Sequence, residues 1–179
     1  MKVSRIIKGW LWWLAGEFIC LLFTLCMIMP MQRSLLLMMF TGVSSVLIVN
    51  GLYFNFAHNC AAEDRNAVKF HKAPYDRAMP VKLALLAPLP QYLMWIALLL
   101  SKAGVIRDIF NIYILANIQC LAWVDQFTRE RTIDVLSWGG LFGLLLLVLA
   151  APITIIVTYE LVYREIDIAA ILMYGKKDK

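Results

Sequence analysis

With 179 residues, 62% of them hydrophobic and 16% charged, against about 45–50% and about 25% in soluble domains, the chain is excluded from the ordinary water-soluble globules. Its formal net charge of +5 gathers at the ends of apolar blocks, which excludes a nucleic-acid footprint and points to a lipid bilayer with anionic lipids as the partner. Backbone groups in lipid must be satisfied within their own segment, so the expected fold is all-α, a polytopic helical bundle forming a single membrane domain over residues 1–179.

The first span is expected at residues 9–30, a stretch in which Glu17 is the only charged residue. Lys2, Arg5 and Lys8 precede it in the manner of a secretory signal. The apolar block is longer than a signal core of about 7–15 residues and no A-x-A-like site follows, so the span is expected to be retained. Trp10, Trp12 and Trp13 stand where indoles favour the headgroup level. Pro30, Gln32 and Arg33 then form a short outer connection to a second span at 34–57. That span opens a run of 29 residues, 34–62, without Asp, Glu, Lys or Arg, and roughly 20 apolar residues suffice to cross a membrane. Its small residues Gly42, Ser44, Ser45 and Gly51 permit close helix approach.

Residues 58–80 are expected to form an inner loop and 81–101 a third span. Pro80 suits a first helical turn, whereas Pro88 and Pro90 each remove a helical hydrogen bond. The span is therefore either kinked near its inner end or begins at Pro88, with 80–87 lying along the interface. The outer segment 102–134 contains 16 uncharged residues, 109–124, among them Asn111, Asn117 and Gln119. This piece is short for a span and reads as an amphipathic or re-entrant helix at the outer face. A fourth span is expected at 135–159. The tail, 160–179, should continue the helix, with Glu160, Arg164 and Asp167 on one face and Val162, Ile166, Ala169 and Met173 on another.

Basic residues set the orientation. Four spans with both termini cytoplasmic place twelve Lys and Arg inside and five outside, whereas a fifth span at 109–124 would give ten and seven. Four spans in a cytoplasmic membrane fit better.

Glu17 is the chief candidate site, because an ionisable group at that depth, roughly 12 Å inside the first span, is expensive unless it has a role. Asn50, on the antiparallel second span, should lie at similar depth, and Lys82 could reach the same layer. The functional reading is a proton- or cation-binding carboxylate. The plainer one is a protonated or paired Glu that fixes helix packing. A second polar group, Asn55, His58, Glu63 and Asp64 with Asn59 and Cys60, marks the inner end of span two. It lacks the converging imidazole and thiolate ligands that a metal requires, so no metal and no cofactor are expected. In the last span Gly139 and Gly143, followed by Ala150, Thr154 and Thr158, form a small-residue stripe expected to pack tightly, within the bundle or in a homo-oligomer. Pro152 frees the carbonyl of Val148. The four cysteines, Cys20, Cys26, Cys60 and Cys120, contain no C-x-x-C pair, and neither phosphate-cradling nor nucleophile motifs occur.

The run Glu63–Asp64–Arg65–Asn66 to Phe70, the run Asn111-Ile-Tyr113 to Asn117, and the stretch from Pro152 to Tyr174 together resemble a loose group of uncharacterised small multi-span proteins of Gram-positive, clostridia-like bacteria. The resemblance covers about half the chain. It implies a bacterial inner membrane and one helical domain, and it transfers no activity or functional residue.

The leading expectation is a non-enzymatic integral membrane protein, an accessory or scaffold subunit acting by helix packing in a larger membrane complex. A small transporter or channel with Glu17 in an intramembrane polar path is the alternative, and a membrane enzyme with an inner-face site at His58 and Asp64 is third. Polar residues converging from several spans would favour the second. His58 and Asp64 meeting within hydrogen-bond reach would favour the third.

Overall fold

The computed structural model describes residues 3–31, 34–71, 74, 76–127 and 132–166. Among these it is entirely helical, with no strand. Helix α1 spans Val3–Met31 and α2 Leu35–His71; α3, Met79–Leu86, and α4, Leu89–Lys102, follow as a bent pair. Helix α5 is Phe110–Ala116, a 3-10 turn occupies Ile118–Cys120, α6 is Leu121–Phe127, and α7 is Trp138–Tyr163. Three helices, α1, α2 and α7, are long and apolar enough to cross a membrane, and the α3–α4 pair makes a fourth if the pair is one span.

Apolar surface points outward in this bundle. On α1 the residues facing the other helices are Gly9, Gly16, Glu17, Cys20 and Thr24, while Leu11, Leu14, Phe18, Leu22 and Leu25 are exposed. This is the arrangement lipid favours: side chains that resemble the solvent face it, and small or polar ones are enclosed by neighbouring helices. Helix α2 answers with Thr41, Ser45, Val49, Tyr53, Phe56 and Ala57, and the Cys20 thiol donates to the Ser45 carbonyl at 3.4 Å.

Close approach falls at one glycine that was expected, Gly42, and at two that were not, Gly9 and Gly16. A Cβ added at Gly9 would stand 2.7 Å from the Ala87 Cβ, one at Gly16 3.3 Å from Val49, and one at Gly42 2.8 Å from the Trp123 ring. Gly139, by contrast, is exposed, and its added Cβ would meet only Ser137, at 3.8 Å. The inward face of α7 is Gly140, Leu141, Leu144, Val148, Ala151, Ile155, Thr158 and Tyr159. Of the anticipated stripe, Thr158 is buried, Gly143, Ala150 and Thr154 are half-buried beside the core, and Gly139 is turned away from it. Helix α7 is apolar on every side, so its sequence carries no periodicity that distinguishes a lipid face from a protein face.

Helix α2 also departs from the expected inner loop. It continues without interruption through residues 58–71, because neither Gly nor Pro stands between Gly51 and Pro74. Its 37 residues, at about 1.5 Å each, extend well past a ~30 Å hydrocarbon core. At the other end of the chain, α7 stops at Tyr163 and Glu165 turns into the left-handed region, with φ 56°. The expected helical tail therefore ends early, and Asp167, Ala169 and Met173 lie outside the described residues.

The third apolar stretch is broken, as the two prolines require. α3 and α4 meet at an angle of 51°. Pro88 cannot donate to the Ala84 carbonyl, nor Pro90 to that of Leu86. Both orphaned carbonyls are capped by aromatic side chains: Tyr92 Oη donates to Ala84 at 2.8 Å and Trp10 Nε1 to Leu86 at 3.0 Å. An unmet carbonyl costs about 1–3 kcal/mol where water is excluded. Tyr92→Phe and Trp10→Phe are each expected to destabilise the protein by about 1 kcal/mol or more on this ground. A thermal-unfolding series in detergent checks it, and midpoints equal to the parent's would mean that solvent or lipid headgroups supply the missing bond.

At the end of the bundle remote from Arg5 and Asp64, the connections are tied by polar contacts. Lys102 Nζ donates to the carbonyls of Ile133 and Asp134, both at 3.0 Å. Asp108 accepts from the amides of Phe110 and Ile133, and Ser137 caps α7 by accepting from Gly140 N–H at 3.0 Å.

Candidate functional site

The segment 109–124 enters the bundle instead of resting on its surface. Helix α5 runs inward, breaks at Asn117, and the chain returns through the 3-10 turn and α6, against both α1 and α2. Phe110, Tyr113, Ile114, Cys120 and Val124 form an apolar core with Leu98, Leu136, Leu141 and Leu144. A second core joins α1, α2, α3 and α7 through Tyr53, Phe56, Leu83, Ile155 and Tyr159.

Glu17 lies at the midpoint of α1, is 6% exposed, and meets the turn of this segment. Its Oε2 accepts from Gln119 N–H at 3.3 Å, with the Ile118 amide alongside. These are the first free N–H groups after the break at Asn117, so a carboxylate from α1 occupies the positive end of the returning helical run. Other polar groups share the layer. The Trp13 indole and the Gln91 carboxamide lie beside the same carboxyl without completing a hydrogen bond to it. Tyr53 is close enough to interact with it electrostatically.

Several atoms here are buried and unmatched. Among the described residues, Glu17 Oε1, Trp13 Nε1, Tyr53 Oη, both Gln91 amide atoms and Asn117 Oδ1 find no hydrogen-bond partner. They come from α1, α2, α4 and the break between α5 and the 3-10 turn. A folded protein leaves few buried polar atoms unmatched, and a cluster of them at one depth marks a place where a proton, an ion or water is needed. Among the described residues, no Lys or Arg hydrogen bond or ion pair reaches Glu17.

Asn50 does not join this layer. Its Oδ1 accepts from Thr154 Oγ1 of α7 at 3.0 Å and its Nδ2 donates to Val46 O at 2.8 Å. Depth was similar, but the helix turns Asn50 toward α7 instead of α1. Lys82 is also elsewhere: its Nζ is 2.7 Å from Asp76 Oδ2 in the connection before α3. That bond and the Ala78 amide hold the exposed Asp76 carboxyl below its ordinary value. Gln119 is the partner, and Gln91, Tyr53 and Trp13 the polar neighbours, that sequence reasoning did not assign to Glu17. The available signal was the trio Asn111, Asn117 and Gln119 in an otherwise apolar stretch, since amides in such a setting need buried partners.

The inner-end polar group divides. Asp64 is a hub, accepting from Arg5 Nη1 and Nη2 at 2.8 and 2.7 Å and from Tyr159 Oη at 2.6 Å. Glu63 adds a contact to Arg5 at 3.1 Å. This ties α1, α2 and α7 together by a bidentate guanidinium pair, the strongest geometry available to such charges. Asn55 and His58 face outward. His58 rests near Phe54, with ring centroids 6.4 Å apart, and its place on α2, six residues before Asp64, keeps the two from sharing a site. Among the described residues no three His, Cys, Asp or Glu side chains gather around one point.

No family model, curated protein or solved structure matches the chain, so its function has to be argued from its own residues.

Proposed function

We propose that this multi-pass membrane protein is a small transporter or channel-like protein whose working centre is Glu17, a site for a proton or a small monovalent cation within the bilayer. The observation that carries the proposal is the set of buried polar atoms from α1, α2 and α4, unmatched among the described residues, around one carboxylate. An isolated charge at such depth is expensive, so the carboxyl is either protonated or matched by a cation. Glu17 Oε1, Gln91 Oε1 and Tyr53 Oη are hard oxygen donors, the kind that suits a proton, water or an alkali cation. The setting is also favourable. Discontinuous helices around a mid-membrane site are a recurrent means of exposing backbone and side-chain polar groups to a translocated ion. Here the chain is broken both at Pro88 and at Asn117.

The twelve-to-five distribution of Lys and Arg supports a cytoplasmic location for the end bearing Arg5 and Asp64. Labelling of a cysteine introduced at Lys69 by an impermeant reagent in intact cells would contradict that orientation.

Glu17→Gln tests the site. It keeps the hydrogen bond to Gln119 N–H and removes the charge. In proteoliposomes carrying a pH-sensitive or sodium-sensitive dye, the parent is expected to show a cation or proton flux that Glu17→Gln reduces at least tenfold. A parent with no flux in either assay would remove the transport reading. The accessory reading would then lead, because Glu17 capping of the Ile118–Cys120 turn from a different helix is also a packing device.

A further inference from the structure

On the side of α1 and α2 turned away from α7 lies a cavity of about 530 Å³, within the size range of small-ligand sites, roughly 300–1,000 Å³. Its walls are two antiparallel stripes: Lys8 and Trp12 beyond Arg5 on α1, and Phe56, Asn59, Glu63 and Asn66 on α2. These positions recur at three- and four-residue spacing, so each stripe follows one helix face. The groove changes character along its length. Arg5, Lys8 and Glu63 mark one end; Trp12 and Phe56, about 10 Å further along α1 at 1.5 Å per residue, mark the other.

We propose that this groove holds a phospholipid with a primary-amine headgroup, of the phosphoethanolamine class. This proposal is independent of the reading of Glu17. Three observations support it. The groove is polar at one end and apolar at the other, matching a lipid's headgroup and the start of its acyl chain, and Trp12 is a residue suited to that boundary. The charges around it balance, Arg5 and Lys8 against Glu63 and Asp64, which favours a zwitterion over a purely anionic group. Finally, the groups needed for recognition are available. Asp64 and Glu63 already occupy the Arg5 guanidinium, while Lys8, Asn59 and Asn66 are exposed, and no described residue pairs with Lys8. Glu63 is 57% exposed and meets Arg5 through Oε2. The lipid phosphate is placed on Lys8 Nζ and the Asn59 amide, and the ammonium on Glu63 and Asn66. A quaternary ammonium has no N–H to donate and fits the second position poorly.

The test uses the full chain in nanodiscs of phosphatidylcholine mixed with either phosphatidylethanolamine or phosphatidylglycerol, followed by native mass spectrometry of the lipids retained on release. Retention of phosphatidylethanolamine above its share of the bilayer is expected. Lys8→Gln and Glu63→Gln should each lower that retention about tenfold, the equivalent of one charge-assisted hydrogen bond. Phe54→Leu, on the exposed face outside the groove, should leave it unchanged. Lys8 is exposed and pairs with no described residue, so Lys8→Gln is expected to fold normally even if Glu63→Gln disturbs Arg5. Retention that follows bilayer composition, a preference for phosphatidylglycerol, or indifference to Lys8→Gln overturns the proposal. Displacement of the lipid by soluble phosphoethanolamine at millimolar concentration would also overturn it, since the acyl end of the groove would then contribute nothing.

Discussion

Asp64→Ala is expected to destabilise the detergent-solubilised protein by about 2–4 kcal/mol, read as a fall in Tm on the order of 10 °C. The reason is the state in which it leaves Arg5. The Arg5 and Asp64 side chains are only 14% and 20% exposed, so removal of the carboxylate strands a largely buried guanidinium and the Tyr159 hydroxyl together. Glu63 is too exposed to replace it, because its contact with Arg5 is a single one at 3.1 Å. The double variant Arg5→Met/Asp64→Leu should recover much of the loss, since a buried pair replaced by apolar residues of similar volume is often neutral. Additive effects in that cycle would show that the two side chains do not interact. A single variant as stable as the parent would mean that lipid headgroups or water neutralise Arg5.

Gly9→Val is expected to cost about 2–3 kcal/mol through overpacking. Here the neighbour cannot yield cheaply. An added Cβ meets the Ala87 Cβ at 2.7 Å and the Ala87 backbone at 3.1 Å, and Ala87 immediately precedes the proline break at Pro88. Displacing Ala87 would also move the Leu86 carbonyl that Trp10 caps. Gly51 provides the control, because a Cβ there meets nothing within 4 Å. Gly51→Ala should be neutral or stabilising by up to about 1 kcal/mol through helix propensity. Equal effects of Gly9→Val and Gly51→Val on the unfolding midpoint would refute the close approach of α1 to α3.

The two cases show why glycines in this chain cannot be judged from spacing. Gly139 stands in the better motif, yet it is open, and tight contacts are found at Gly9, Gly16 and Gly42. A G-x-x-x-G pattern states that a helix face is smooth. Whether another helix lies on that face depends on the rotation of α7, which is set by contacts made elsewhere: Gly140, Leu144, Val148, Ala151 and Ile155 inward, and Thr154 on Asn50.

Much of the architecture is nonetheless legible in the amino-acid order. Long uncharged runs require helices, because only a helix satisfies its own backbone in lipid. Pro88 and Pro90 require a break in the third apolar stretch, because neither can donate, and the break is there. Glu17 stands out as a lone acid in an apolar run, and its burial follows from the cost of presenting a carboxyl to hydrocarbon. What only the tertiary structure decided is which residues surround it. Gln119 lies 102 positions away in sequence, and Asn50, correct in depth, is wrong in azimuth. In water, the contrast between an apolar face and a polar one reveals how a helix is rotated. On α1 the small and polar residues still mark the inward face, but α7 is equally apolar outside and in, so that signal vanishes there and its rotation is settled by packing alone.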